Sequence, residues 1–333
     1  MRTCFRRLKY FFKTVTTSLV VMLFRSLPNN LRSNIEIGYS SLDIHDGIGA
    51  QFHRQVSLYQ VSKLLGFQFK LFPITNVTIH PLDDHQSMEE YEKYLIRANK
   101  VLTLIFDQKL ATLPVDPENL SGNLELRYFF RFLIRALSNK KTLFLFTDAH
   151  GIIDFTFKKY SNLNLNYANT LPHSNDIAFH YRRGVGGLAI YPGQSISREF
   201  EPFRVKKILR DISERYPDRF INIFTDGARD SFSYSIKNFQ KDSWLNSPSF
   251  NETVGSLEMT GLNVENLLLE LGIIGKVFYG GDPLYAFEIM VSSRILIISK
   301  SSLSYVAALL NPSAVVYFPK DFWHPKQKHW FTF

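Results

Sequence analysis

The stretch DIAFHYRRGVGG, from Asp176 to Gly187, governs how the rest of the chain reads. Ile177, Ala178 and Phe179 have the unbroken apolar character of a strand buried on both faces. His180, Tyr181, Arg182 and Arg183 follow at once, and Gly184, Gly186 and Gly187 come directly after. In open parallel sheets, ligands bind beyond the carboxyl ends of the strands. Arginine stays charged and presents a planar fork of donors that matches phosphate oxygens. Glycines let backbone N–H groups come close to an anion. The stretch therefore reads as a phosphate-binding strand exit. A surface ion pair beside a flexible turn would have the same local sequence, so the neighbouring elements must decide.

On either side of this stretch, strands alternate with helices. On the C-terminal side, residues 202–216 read as a helix with Lys206, Lys207, Arg210 and Arg215 outward, and Phe220–Gly227 as a strand ending at an Asp. Residues 228–262 have no period. Helices follow at Val264–Leu271, Pro283–Val291 and 301–311, with strands at Lys276–Tyr279, Ile295–Lys300 and finally AVVYFP, residues 314–319. On the N-terminal side, Ile35–Tyr39 reads as a lead-in and Ser41–Ile44 as a strand. Asp46–Gly49 is a turn, a helix runs from Gln51 to its cap at Gly66, and Phe67–Phe72 is the next strand. Residues 88–112 and 125–138 read as helices, KKTLFLFTDA (140–149) as a buried strand, and the Asn-rich residues 155–175 as a connection. Alternation of this kind implies parallel sheets. The expected architecture is α/β: an N-terminal segment 1–34, a Rossmann-like domain over 35–175 and a second over 176–333, facing a cleft.

The chain has 333 residues and a net charge of +9, and the charge is unevenly placed. Arg2, Arg6, Arg7, Lys9, Lys13, Arg25 and Arg32 supply most of it within a segment that contains no acid. A nucleic-acid binder spreads basic residues over a folded face, so no nucleic-acid partner is expected. Phe5, Leu8, Phe12, Val15, Leu19 and Met22 recur at helical spacing. The uncharged run Thr14–Phe24 falls well short of the roughly 20 residues of a membrane span. A basic amphipathic helix suits an anionic membrane surface. Packing on the protein's own core, or a short signal anchor of the Golgi or ER type, are the other readings. The single cysteine, Cys4, excludes a disulfide framework and fits a reducing, cytoplasmic compartment, and the arm would make the protein peripheral at a membrane there.

Three more features fall at strand ends. Ser299-Lys300-Ser301-Ser302-Leu303-Ser304 places several hydroxyls where a strand passes into a helix, and helix N-termini bind anions. A plain N-cap would need one Ser. Asp226, before Gly227, can hold a ribose hydroxyl or simply form a turn. Asp46-Gly47-Ile48-Gly49-Ala50-Gln51 brings backbone toward a ligand but lacks the last glycine of a dinucleotide loop, because Phe52 stands there. No Walker loop, D-x-D triplet or His-rich metal spacing occurs, so no metal is expected.

Together these motifs resemble the α-1,2-/α-1,6-/protein O-fucosyltransferase superfamily. His180-x-Arg182-Arg183 is similar to its HxRR motif. Asp46–Gln51 with the following helix is similar to its G-x-G-N-Q loop, Phe224-Thr225-Asp226 to its second motif, and Ser301-Ser302-Leu303-Ser304 to its S-S-F-S/T motif. The order matches over roughly residues 40–318. The resemblance implies a GT-B-like fold and an inverting, metal-independent glycosyltransferase. Its co-substrate would be a nucleotide sugar, GDP-fucose in most relatives, and its acceptor a glycan or other hydroxyl. Donor contacts would come from Gly47, Gly49, His180, Arg182, Arg183, Asp226, Ser301, Ser302 and Ser304. Arg183, or Arg182, would meet the charge on the leaving diphosphate. An inverting transfer needs a base for the acceptor proton, and the position of Asp46 in the N-terminal loop makes it the first candidate, with Glu199 second and His53 third. Val185 stands where the family has Asp, and Ala50 where it has Asn. These departures leave a second reading, a catalytically degenerate nucleotide- or sugar-binding protein.

Overall fold

The computed structural model describes residues 22–41, 47–77, 88–112, 118–120, 126–138, 140–146, 165, 167–182, 188–191, 194–197, 200, 202–225, 263–279 and 282–333. The chain divides into two compact units. One joins Met1–Thr78 to Lys93–Asn164, and the other joins Ile79–Glu92 to Leu165–Phe333. Each has its own parallel sheet, as the α/β reading with two Rossmann-like units requires. The N-terminal arm lies outside the described residues up to position 21, and so does the strand expected at Ser41–Ile44 beyond its first residue. Among the described residues, no helix is long and apolar enough to cross a membrane.

In the first unit the strands are β1 (Ile35–Tyr39), β2 (Gln68–Lys70), β3 (Glu118–Leu120) and β4 (Thr142–Phe146), in the order β2-β1-β4-β3 and all parallel. The segment expected to be a lead-in is thus β1, an inner strand whose Ile35, Ile37 and Tyr39 are buried. Gly38 disguises it, since a mid-strand glycine usually weakens a strand. Here the glycine is required: a Cβ at this position would collide with the Phe72 ring and lie 2.8 Å from the Lys70 carbonyl oxygen.

Among the described residues, α1 (Asn29–Arg32), α2 (Ile48–Leu65), α3 (Met88–Phe106) and α4 (Leu126–Leu137) accompany this sheet, besides a helical turn at 22–26. Helix α2 ends at Gly66, whose φ of 74° is the left-handed conformation of a helix C-cap. Helix α3 stops short of the expected residue 112. Asp107 turns the chain with a φ of 48°, and the Ala111 N–H then donates to Leu71 O at 2.7 Å, just past β2. The rings of Phe24, Phe67, Phe132 and Phe144 meet edge to face and tie α4 and the 22–26 helical turn to the sheet.

The second unit carries six parallel strands in the order β12-β11-β10-β5-β8-β9. They are β5 (Ser174–His180), β8 (Ile221–Thr225), β9 (Gly275–Tyr279), β10 (Ser293–Ile297), β11 (Val315–Phe318) and β12 (Phe331–Thr332). A separate antiparallel pair is formed by β6 (Leu188–Tyr191) and β7 (Gln194–Ser197). Among the described residues the unit also has helices α5 (Pro202–Arg215), α6 (Val264–Glu270), α7 (Pro283–Ser292) and α8 (Ser302–Leu310). Their starts follow local chemistry. Asn263, Asp282 and Ser301 each cap a helix by accepting a backbone N–H, and Pro283 occupies the first turn of α7. Ile177, Phe179, Ile221, Ile223, Ile295 and Ile297 form the buried sheet face on which Val205, Leu209 and Ile212 of α5 pack. The AVVYFP strand is not the last one: β12 adds two residues beyond it.

Candidate functional site

Strand β5 is inner in its sheet, with Phe179 beside Ile297 of β10 and His180 beside Phe224 of β8. Its carboxyl end is therefore flanked by two further strand ends, the arrangement that places ligands in parallel sheets. Past Ile297, the chain runs through Ile298, Ser299, Lys300 and Ser301 into α8.

Two cross-links join the β5 exit to this turn. Ser299 Oγ is hydrogen-bonded to His180 Nδ1 at 3.0 Å, and both residues are buried. Arg182 Nη1 donates to Ser301 Oγ at 3.2 Å. Ser301 Oγ also accepts from the Leu303 N–H at 3.3 Å, so the residue that caps α8 is the residue that seats the arginine. Ser304 Oγ in turn donates to Ser301 O at 3.3 Å. Ser302 is half-buried on the first turn and Ser304 is fully buried.

Electrostatics fix the character of this corner. Burial and then the charge on Arg182 push His180 down to about 3, so its imidazole is neutral at ordinary pH. It serves as a hydrogen-bonding group, and the positive charge comes from the arginine. Lys300 projects to a different partner. Its Nζ lies 2.5 Å from Asp321 Oδ2, while Arg204 Nη1 donates to Asp321 Oδ1 at 3.4 Å. Burial alone would raise the Asp321 carboxyl. The hydrogen bond and charge of Lys300, its own backbone and Arg204 outweigh that and hold it below the ordinary carboxylate range. The turn is thus pinned on both sides, by Ser299 and Ser301 to the β5 exit and by Lys300 to Asp321.

Of the residues singled out in the sequence, His180, Arg182 and Ser301 come together here, with Ser302 and Ser304 on the adjoining helix. Arg183, Asp226, Asp46 and Glu199 lie outside the described residues. Gly47 and Gly49 belong to the other unit. Gly47 precedes α2 in extended conformation, with open space where a side chain would be, and Gly49 is buried in the first turn. His53 is buried on the same helix, along with Gln51, Arg54 and Gln55. Sequence reasoning assigns no separate role to Ser299, Lys300 or Asp321. The first two stand within the serine-rich motif, but no local pattern marks Asp321 as the acid that reaches Lys300.

The chain matches no protein-family model and no curated protein. Among solved structures, E. coli heptosyltransferase WaaC with ADP-2-deoxy-2-fluoro heptose aligns over 90% of this chain and 92% of that one, at 9% identity and a TM-score of 0.34. The same enzyme with ADP aligns over the same shares, at 8% identity and a TM-score of 0.38. A putative aspartate carbamoyltransferase from Trypanosoma cruzi aligns over 91% of this chain and 78% of that one, at 11% identity and a TM-score of 0.16. Likeness at these levels assigns neither family nor activity, and the functional reading rests on the strand-end geometry.

Proposed function

We propose that the chain is a glycosyltransferase that takes a nucleoside diphosphate sugar, with the diphosphate held at the β5 exit and the start of α8. The observation that carries this reading is Arg182 seated on Ser301, the cap of α8, beside the buried His180–Ser299 pair. Arginine, capping hydroxyls and a helix N-terminus converge on one corner, and all three favour an anion with several oxygens.

The chemistry follows from what such a corner can stabilise. The acceptor oxygen attacks the anomeric carbon, the sugar–phosphate C–O bond breaks, and its electron pair leaves on the diphosphate. Arg182 and Arg183 meet that charge, and the hydroxyls of Ser301, Ser302 and Ser304 add donors. Neutral His180 offers a hydrogen bond to the nucleotide without adding charge. Asp226, Gly47 and Gly49 are the further donor contacts that the sequence resemblance implies. The sequence offers Asp46 as the base for the acceptor proton, with Glu199 and His53 next in order. Attack opposite the leaving group inverts the anomeric centre. No metal ion is needed in this scheme. The sequence resemblance favours GDP-fucose as donor and a glycan or similar hydroxyl as acceptor, and the basic arm favours a cytoplasmic membrane surface as the place of action. Val185 and Ala50 support a second reading, nucleotide or sugar binding without turnover.

Donor hydrolysis and transfer to an acceptor panel, with and without EDTA, test the first reading. It predicts GDP release from GDP-fucose that EDTA does not reduce and that Arg182→Ala abolishes. Full activity of Arg182→Ala removes the phosphate role, and nucleotide binding without any turnover selects the second reading.

A further inference from the structure

Helix α4 has an apolar stripe on the wrong side. Phe132 and Ala136 are buried against the sheet, as the core-facing pair of an amphipathic helix should be. Phe130, Ile134 and Leu137, however, are 60%, 65% and 58% exposed. Their spacing of four and three residues puts them on one line along the helix, roughly opposite the buried pair. Such a continuous exposed stripe marks a surface that something else covers.

The charge around the stripe identifies what. Arg131 and Arg135 are exposed and lie one step further round the helix, while Lys140 and Lys141 are exposed just beyond its end. From Leu126 to Phe146 the sequence contains five basic residues and no acid. A second basic and apolar piece lies in contact with the first. The helical turn of residues 22–26 is fastened to α4 through Phe24, which is buried and meets the Phe132 ring edge-on at 6.5 Å. Met22 and Leu23 are exposed on that turn, next to exposed Arg25. The turn continues the acid-free basic arm. Apolar side chains rimmed by cations suit the headgroup boundary of an anionic bilayer, where the stripe enters the acyl region and the cations stay with the phosphates.

We propose that α4, together with the 22–26 turn, is a membrane-docking face for anionic lipid. It is a folded contact distinct from any lipid binding by residues 1–21, and it is independent of the donor-site reading. The full chain is tested by co-sedimentation with phosphatidylcholine vesicles, with and without 30% phosphatidylglycerol. The variants are Phe130→Ser/Ile134→Ser/Leu137→Ser and, separately, Ile134→Trp. The face predicts binding to the anionic vesicles only, weakened at least about tenfold in the triple variant while its thermal midpoint stays within about 2 °C of the wild type. In Ile134→Trp, the fluorescence of the added indole, taken as the difference from the wild type, should shift blue and be quenched by brominated acyl chains. Equal binding by the triple variant, or no binding by the wild type, overturns the proposal. So does a dimer in solution that only the triple variant dissociates, because a second copy would then be the occupant. Should the triple variant misfold, quenching in Ile134→Trp decides alone.

Discussion

Acidification should loosen the second unit through one buried ring. His180 falls from an ordinary 6.5 to about 3 on folding, because burial and Arg182 both oppose its charge. The unfolded chain therefore binds a proton at this position that the folded chain refuses. Stability from this group is complete above pH 6.5 and is lost as pH falls from 6.5 toward 3. Each full pH unit inside the window costs about 1.4 kcal/mol, so the step from pH 7 to pH 5 should cost about 2 kcal/mol. Urea unfolding at both pH values measures it, with His180→Asn as the reference, since Asn keeps a polar group beside Ser299 but does not titrate. The other histidines cancel in the comparison. The wild type should lose about 2 kcal/mol more than the variant between pH 7 and pH 5. Parallel losses in the two proteins would rule out a neutral, desolvated imidazole at this corner.

Other outcomes follow from single contacts. Ser299→Ala removes the partner of a buried ring nitrogen and should cost about 1–2 kcal/mol in urea unfolding at pH 7. Gly38→Ala forces a side chain into Phe72 and the Lys70 carbonyl, and should cost about 1–3 kcal/mol by the same assay. Gly47→Ala meets open space and should cost no more than about 1 kcal/mol by the same assay. Lys300→Gln removes the main force holding Asp321 ionised, and the carboxyl should titrate at higher pH in an NMR titration.

The legible parts of this protein are those with local causes. Asp282 before Pro283 and Ser301 before α8 announce helix starts through capping chemistry that a few residues encode. The apolar runs of β5, β8 and β10 announce buried strands in the same way. Strand β1 escapes a local reading because the reason for Gly38 is Phe72, a residue of a different segment. Strand β12 has only two residues and exists through its pairing with Tyr317 and Phe318. The candidate site divides along the same line. Motifs name His180, Arg182 and Ser301, but their joining is tertiary. Both cross-links span 119 residues, close to the offset at which β10 pairs with β5 (Ile297 with Phe179), so one strand pairing brings both exits together. The Lys300–Asp321 pair has no such guide. Asp321 reaches the turn from beyond β11, and nothing in the local sequence marks it as the partner.

The proposed function turns on a diphosphate site at the β5 exit, and a thermal-shift comparison of the full chain is the shortest route to it. GDP, UDP, ADP, CMP and their sugars would each be added with and without EDTA, to the wild type and to Arg182→Ala. The expected outcome is a selective rise with one nucleoside diphosphate, unchanged by EDTA and absent in the variant. A rise of equal size in Arg182→Ala, or no rise with any nucleotide in the wild type, would mean that this corner does not hold a diphosphate.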